Sequence, residues 1–164
     1  MRSRMRINGR VTVRVIREDG RQEKQVHHNI VTNEGDALIA DLLCGTPTQT
    51  KVDETNGYIE VGSGWTGLSP KSNSGCNTPE GSRQVMDSGY PQAKGSFGNT
   101  DDNVVVYRSS WTVGTLEADG VDEAALMNAA SSGVCLAYAQ ITPELNITAN
   151  DTLQIEWELS FLGS

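Results

Sequence analysis

The strongest constraint on the fold is a run of strictly alternating apolar and polar residues near the end of the chain, at 152–161. The apolar members are Leu153, Ile155, Trp157, Leu159 and Phe161, and every residue between them is polar. A period of two is typical of a β-strand with one buried and one solvated face, whereas a helix would scatter these side chains around its axis. The run therefore predicts a strand in an antiparallel sheet.

The composition favours a single, mainly β domain. The chain has 164 residues, which is enough for one domain with a hydrophobic core and few for two. It has 17 glycines and only 5% aromatic residues, with many Ser, Thr and Asn residues, as is typical of strands joined by long turns. We therefore predict an antiparallel β-barrel or sandwich over residues 11–164.

One short amphipathic helix is predicted over about residues 33–44. Thr32 or Asn33 can cap its N-terminus, and the acidic residues of its first turn favour the helix dipole. The apolar residues that recur at helical spacing are Leu38, Ile39, Leu42 and Leu43. A helix with one apolar face needs a sheet to cover, so we expect it to close one end or face of the β domain.

A long loop rich in Gly, Ser and Asn is predicted over residues 62–103, because this stretch has almost no periodicity. A loop of this length is either functional or ordered by a neighbouring molecule. We expect it to be accessible to proteases at Lys71, Arg83 and Lys94 in the free protein.

Positive charge is concentrated at the beginning of the chain. The net charge is −8, but residues 1–24 carry +5 and the remainder carries −13. This split predicts a basic N-terminal arm over residues 1–10, continued by a basic hairpin, that docks onto an acidic surface. The candidate partner-binding residues are Arg2, Arg4, Arg6, Arg10, Arg14, Arg17 and Arg21.

The expected partner is another copy of the chain or a different acidic protein. Nucleic-acid-binding surfaces interleave aromatic with basic residues, whereas Trp157 is flanked by Glu156 and Glu158, which argues against a nucleic-acid partner. No run approaches the roughly 18–20 apolar residues that span a bilayer, and no signal peptide is visible. We expect no membrane partner and synthesis in the cytoplasm.

The three cysteines, Cys44, Cys76 and Cys135, are far apart and form no C-x-x-C pair. This spacing predicts free thiols rather than a disulfide framework or a zinc site. Cys135 lies in an apolar run and is expected to be buried. Cys76 lies among polar residues, where we expect it to be exposed and able to bridge to a neighbouring copy.

Candidate catalytic motifs have simpler structural interpretations. The G-x-G-x-x-G pattern at 62–67 is soon followed by Pro70 and lacks a βαβ context, so we predict a glycine turn rather than a nucleotide site. His27 and His28 are adjacent, and adjacent strand residues point to opposite faces, which disfavours a shared metal. We therefore expect no catalytic residues, no cofactor and no metal.

The order of several weak motifs carries a family resemblance. They are 29–35 leading into 37–43, a strand ending at 61–64, the apolar runs 123–130 and 136–139, and the closing strand 152–161. This order resembles that of small virion structural proteins of tailed bacteriophages, of the head decoration (cement) or minor tail protein type. The resemblance covers most of residues 11–161, except the 66–103 stretch. It implies a β-barrel or sandwich with one helix, no catalytic residues to transfer, and symmetric assembly.

The favoured hypothesis is a non-enzymatic capsid decoration protein that binds the outer shell through its basic N-terminal region. It would be located in the virion, as a symmetric homo-oligomer in contact with the major capsid protein. The first alternative is a tail, neck or baseplate component, such as a fibre-attachment protein. The second is a carbohydrate-binding module or glycosidase, because long polar loops on a β-sandwich can bind sugars.

Overall fold

The structure is a computed structural model that describes residues 6–67 and 70–162. Within these residues, the strands are β1 (Arg6–Ile16), β2 (Gln22–Val31), β3 (Tyr58–Gly62), β4 (Gln84–Val85), β5 (Gln92–Ala93), β6 (Val104–Trp111), β7 (Ala118–Met127), β8 (Cys135–Ile147) and β9 (Thr152–Leu162). The described part of the chain also contains one α-helix, α1 (Asn33–Leu42), and one 3-10 turn (Pro70–Ser72). The strands form one antiparallel sheet in the order β4-β3-β7-β8-β2-β1-β9-β6-β5, which curls into a half-barrel. The prediction of a mainly β fold with one short helix is confirmed.

The alternating C-terminal run forms β9, which lies near the middle of the sheet between β1 and β6. Leu153, Ile155, Trp157 and Leu159 are each 0% exposed, as the alternation predicted, and Phe161 is half-buried. On the inner face they meet valines of β1, because Trp157 pairs with Val11 and Ile155 with Val13. These facing rows of apolar side chains form the core of the half-barrel.

The N-terminal hairpin is longer than the sequence indicated. Its turn contains Gly20 with φ +83°, a left-handed conformation that glycine adopts without strain. β1 begins at Arg6, and residues 6–10 pair with 158–162 of β9. The prediction of a separate arm over residues 1–10 is therefore wrong for residues 6–10, because pairing with β9 fixes them in the sheet. Arg2 and Arg4 lie outside the described residues.

Helix α1 packs directly on β8 and covers one end of the half-barrel. Thr32 caps it as predicted, since its hydroxyl accepts a hydrogen bond from the Gly35 amide at 2.9 Å. A Cβ atom on Gly35 would lie 2.0 Å from the carbonyl oxygen of Leu136, so only glycine allows this close approach. Leu38, 2% exposed, anchors the apolar face of the helix in the core.

The 62–103 stretch is mostly irregular, as predicted, but it packs against its own domain. It contains β4, which pairs with β3, and β5, which pairs with β6, so it adds a short strand at each end of the sheet. The segment that connects β4 to β5 links these two ends of the sheet. The Ser109 hydroxyl donates to the carbonyl of Gln84 at 3.1 Å, and the Asp87 amide donates to the carbonyl of Arg108 at 2.7 Å. These long-range contacts, which periodicity cannot reveal, order the segment against its own domain.

Candidate interaction surface

A row of basic side chains follows the outer face of the N-terminal hairpin. Even-numbered residues of β1 face outwards, because Val11, Val13 and Val15 fill the inner face. Opposite them on β2, Lys24 pairs with Arg14 and His28 pairs with Arg10. We call this surface the basic stripe, and it consists of Arg6, Arg10, Arg14, Lys24 and His28.

The positive charge of the basic stripe is not neutralised by ion pairs within the described part of the chain. Arg14 donates a hydrogen bond to the side-chain oxygen of Gln154 at 3.3 Å, a neutral contact. Glu158 lies across from Arg10 but is bound by Lys94 at 3.2 Å. The guanidinium groups are therefore available to an anionic partner.

The arginines of the basic stripe lie on a strand that is held firmly in the sheet. β1 lies between β2 and β9 in the sheet, so its backbone is paired on both sides. A partner that docks on this surface does not have to order a flexible arm, which removes one of the entropic costs of association. Three of the predicted partner-binding arginines, Arg6, Arg10 and Arg14, are brought together here.

Two other predicted partner-binding arginines form ion pairs with acidic residues of their own chain. Arg17 forms ion pairs with Glu23 at 2.7 Å and Asp151 at 2.9 Å, and its side chain is only 18% exposed. Arg21 pairs with Asp19 at 2.6 Å on the exposed turn. Their assignment to a partner surface is therefore not supported, because carboxylates of the same chain already compensate both charges.

The Arg17 contact predicts a pH-dependent contribution to stability. Burial alone would raise the pKa of Asp151, but hydrogen bonds from the amide and hydroxyl of Thr148 and from Arg17 outweigh it and lower that pKa below its ordinary value. A carboxyl whose pKa is lowered by folding stabilises the protein above its unfolded-state pKa. That stabilisation is lost as the pH falls through the folded-state pKa.

We therefore expect Asp151→Asn to lower the free energy of unfolding by about 1–2 kcal/mol at neutral pH, the cost of losing charged hydrogen bonds. The difference from the wild type should shrink as the pH is lowered towards 2, because the Asp151 carboxyl becomes neutral, like the amide, as the pH falls through its folded-state pKa. Denaturation curves at both pH values test this, with Asp19→Asn on the exposed turn as a control of smaller effect. An equal loss at both pH values would contradict the assignment.

A buried carboxylate fixes the first part of the 62–103 stretch over the outer face of the sheet. Glu123 on β7 is 0% exposed. Its Oε1 atom accepts hydrogen bonds from the amides of Gly64 at 3.1 Å and Thr78 at 3.0 Å. Its Oε2 atom accepts from the side-chain amide of Asn77 at 3.2 Å and from the Tyr138 hydroxyl. Four donors from three segments of the chain thus converge on one side chain.

We call this first part of the 62–103 stretch the cover. An ion pair also helps to hold the cover on the outer face of the sheet. Arg83 donates from Nε to Glu60 Oε1 at 2.8 Å and from Nη1 to the carbonyl oxygens of Ala129 at 2.9 Å and Ser132 at 2.7 Å. The other oxygen of Glu60 accepts from the Cys76 amide at 2.7 Å. The Arg83 side chain is only 13% exposed, which conflicts with its predicted accessibility to proteases.

The G-x-G-x-x-G pattern has a packing role. A Cβ atom on Gly62 would lie 2.5 Å from Glu123 Oε1, and one on Gly64 would lie 2.6 Å from the Thr78 amide nitrogen. These two glycines therefore let residues 76–78 cross close to the end of β3.

The structure separates the cysteines by environment. Cys135 is 0% exposed, as predicted, and Cys44 is exposed. The prediction that Cys76 is exposed is wrong, since it is half-buried against the outer face of the sheet, and burial raises the pKa of its thiol well above the ordinary value. A thiol that stays protonated is a poor nucleophile for disulfide exchange. Cys76 is therefore poorly suited to bridging copies.

His27 and His28 point to opposite faces of β2, as their adjacency predicted. His27 lies 2.9 Å from the Gln25 side-chain oxygen, and burial lowers its pKa. His28 is exposed in the basic stripe. Within residues 6–67 and 70–162, no three His, Cys, Asp or Glu side chains are grouped closely enough to hold a metal ion.

Comparison of the chain with protein-family models, with curated proteins and with solved structures finds no match. No helix in the part of the chain that the structure describes is both long and apolar enough to cross a membrane. The fold and the surface chemistry are therefore the basis for assigning a function.

Proposed function

We propose that this protein is a non-enzymatic structural component of a tailed-bacteriophage particle, a capsid decoration protein that binds the outer shell. The observation that carries the proposal is the rigid basic stripe on a chain whose residues after position 24 carry a net charge of −13. An acidic shell would repel most of such a molecule and attract one face of it. Charge therefore fixes the orientation of docking as well as its rate.

The fold and the order of sequence motifs support this role. One curled sheet, with its long segment pinned by Glu123 and Glu60, presents its surfaces with little internal freedom. The order of weak motifs resembles that of small virion proteins of tailed phages. The protein would be made in the host cytoplasm and would assemble as symmetric copies on the major capsid protein.

Neutralising the basic stripe should weaken binding to the particle. For the triple variant Arg6→Gln, Arg10→Gln and Arg14→Gln, we expect a loss of affinity of about 10- to 100-fold at low salt, since each exposed charge contributes about 0.5–1 kcal/mol. Raising the salt concentration should weaken the wild type towards the variant, because exposed charges are screened. Co-sedimentation with particles lacking the protein measures both effects.

Arg21→Gln is the control, because it removes an exposed positive charge that lies outside the basic stripe and is paired with Asp19. Its binding should stay close to that of the wild type. Binding that is insensitive to the triple substitution and to salt would contradict the proposed surface.

Copy number decides between the two placements on the particle. Quantitative mass spectrometry of purified particles should find hundreds of copies for a shell protein. A few to a few dozen copies would assign the protein to the tail, neck or baseplate instead.

A further inference from the structure

An apolar cavity of about 350 Å³ opens at the end of the half-barrel that α1 covers. Among its lining residues are Leu38 and Leu42 of α1, Val105 and Tyr107 of β6, and Leu159 and Phe161 of β9. A cavity of this volume lies in the range of ligand-binding pockets and exceeds the size of a single aromatic side chain. It is therefore large enough to accept an apolar group from outside.

The hydroxyl of Tyr107 adds a polar group to the mainly apolar lining of this cavity. Tyr107 is 7% exposed, and its hydroxyl makes no hydrogen bond within the described residues. Burial raises the pKa of Tyr107 to about 12, so the hydroxyl remains a donor at neutral pH. Because this hydroxyl can donate to an occupant, a group with an apolar body beside a carbonyl oxygen suits the cavity. A peptide segment that carries an aromatic side chain has both.

The chain itself presents such a segment. Phe97, 99% exposed, lies at the tip of the turn between β5 and β6. The turn is ordered by hydrogen bonds from the Gly95 amide to the Asp101 carbonyl at 3.1 Å and from the Gly98 amide to the Asp102 carboxylate at 2.8 Å. The aromatic ring is therefore held in solvent by a structured turn and does not fold back onto its own domain.

We propose that Phe97 of one copy inserts into the apolar cavity of a second copy. Charge complementarity supports this occupant, because Asp101 and Asp102 on the turn are exposed and acidic. Lys51 is an exposed lining residue of the cavity that forms no ion pair within the described residues. The inference deepens the proposed function, since it names a contact through which copies assemble.

Sedimentation equilibrium of the full chain tests the contact. The wild type is expected to self-associate between about 1 and 300 µM, a range that covers micromolar dissociation constants. Phe97→Asp should raise the dissociation constant at least about tenfold, because it removes the apolar group that the cavity buries. Val113→Asp is the matched control, since Val113 is 60% exposed and follows the opposite end of β6.

A mixing experiment identifies the two halves of the contact. Val105→Trp should fill the cavity while leaving Phe97 in place, and its thermal melt should confirm that it is folded. Each variant alone should fail to associate, whereas a mixture of Phe97→Asp with Val105→Trp should form a one-to-one complex. That complex requires the intact cavity of the first variant and the intact Phe97 of the second.

A wild type that stays monomeric throughout the range, or a Phe97→Asp variant that associates like the wild type, would overturn the inference. Binding of the apolar dye ANS in the cavity of a persistently monomeric wild type would assign the cavity to small ligands instead. Self-association without any binding to particles would leave the inference standing and count only against the proposed function.

Discussion

Replacing Trp157 with Ala is expected to lower the free energy of unfolding by about 3–5 kcal/mol, the cost of a large-to-small change in a core. Trp157 is 0% exposed and lies between Val11 of β1 and Tyr107 of β6 on the inner face of the sheet. Its removal leaves a cavity among strands that are paired on both sides and cannot collapse. Denaturation in urea measures the change.

Two further substitutions test whether lost packing in the core explains the lower free energy of unfolding. Glu156→Ala, on the outer face of the same strand, should change the free energy of unfolding by no more than about 0.5 kcal/mol. Trp157→Phe should cost less than Trp157→Ala, because the ring is largely kept and the buried indole N–H has no hydrogen-bond partner in the described residues. If Glu156→Ala proves more damaging than Trp157→Ala, the register of β9 is wrong by one residue.

Glu123→Ala is expected to release the cover on the outer face of the sheet and to cost about 3–4 kcal/mol. The substitution leaves the amides of Gly64 and Thr78 and the Tyr138 hydroxyl without their acceptor, and each unsatisfied buried group costs about 1–3 kcal/mol. Local opening, which readmits water to these groups, should limit the total. Trypsin should then cut at Arg83, which the wild type protects through its contacts with Glu60 and the 129–132 turn.

Limited trypsin digestion and denaturation curves together test this expectation. Glu117→Ala is the control, because Glu117 is an exposed acid on the turn before β7. It should change neither the stability nor the cleavage rate appreciably. If Glu123→Ala and the wild type are cut at Arg83 at the same rate, Glu123 does not hold the cover in place.

Local patterns in the sequence were sufficient to predict several elements. The alternation at 152–161 predicted which side chains of β9 are buried, because the period of a strand is two wherever it is placed. Thr32 was one of the two predicted helix caps, and its hydroxyl does accept from the Gly35 amide. Both features depend on backbone geometry within a few residues, so no distant partner is needed to specify them.

Contacts between residues that are distant in the sequence determined the features that local patterns did not predict. The contacts of Arg17 with Asp151 and of Arg83 with Glu60 join residues 134 and 23 positions apart, and no local pattern distinguishes these arginines from those of the basic stripe. Cys76 appeared exposed for the same reason, since the face that covers it belongs to strands far away in the sequence.

The sequence by itself determined the class of fold, the short helix and the side chains that fill the inner face. The curl of the sheet determined which positive charges remain available to a partner. It also determined where the 62–103 stretch lies and how the apolar cavity forms beside α1. The physical reason is that strand and helix periodicities are properties of the local backbone. The ion pairs, the cover on the outer face and the apolar cavity instead depend on which strands become neighbours when the sheet curls.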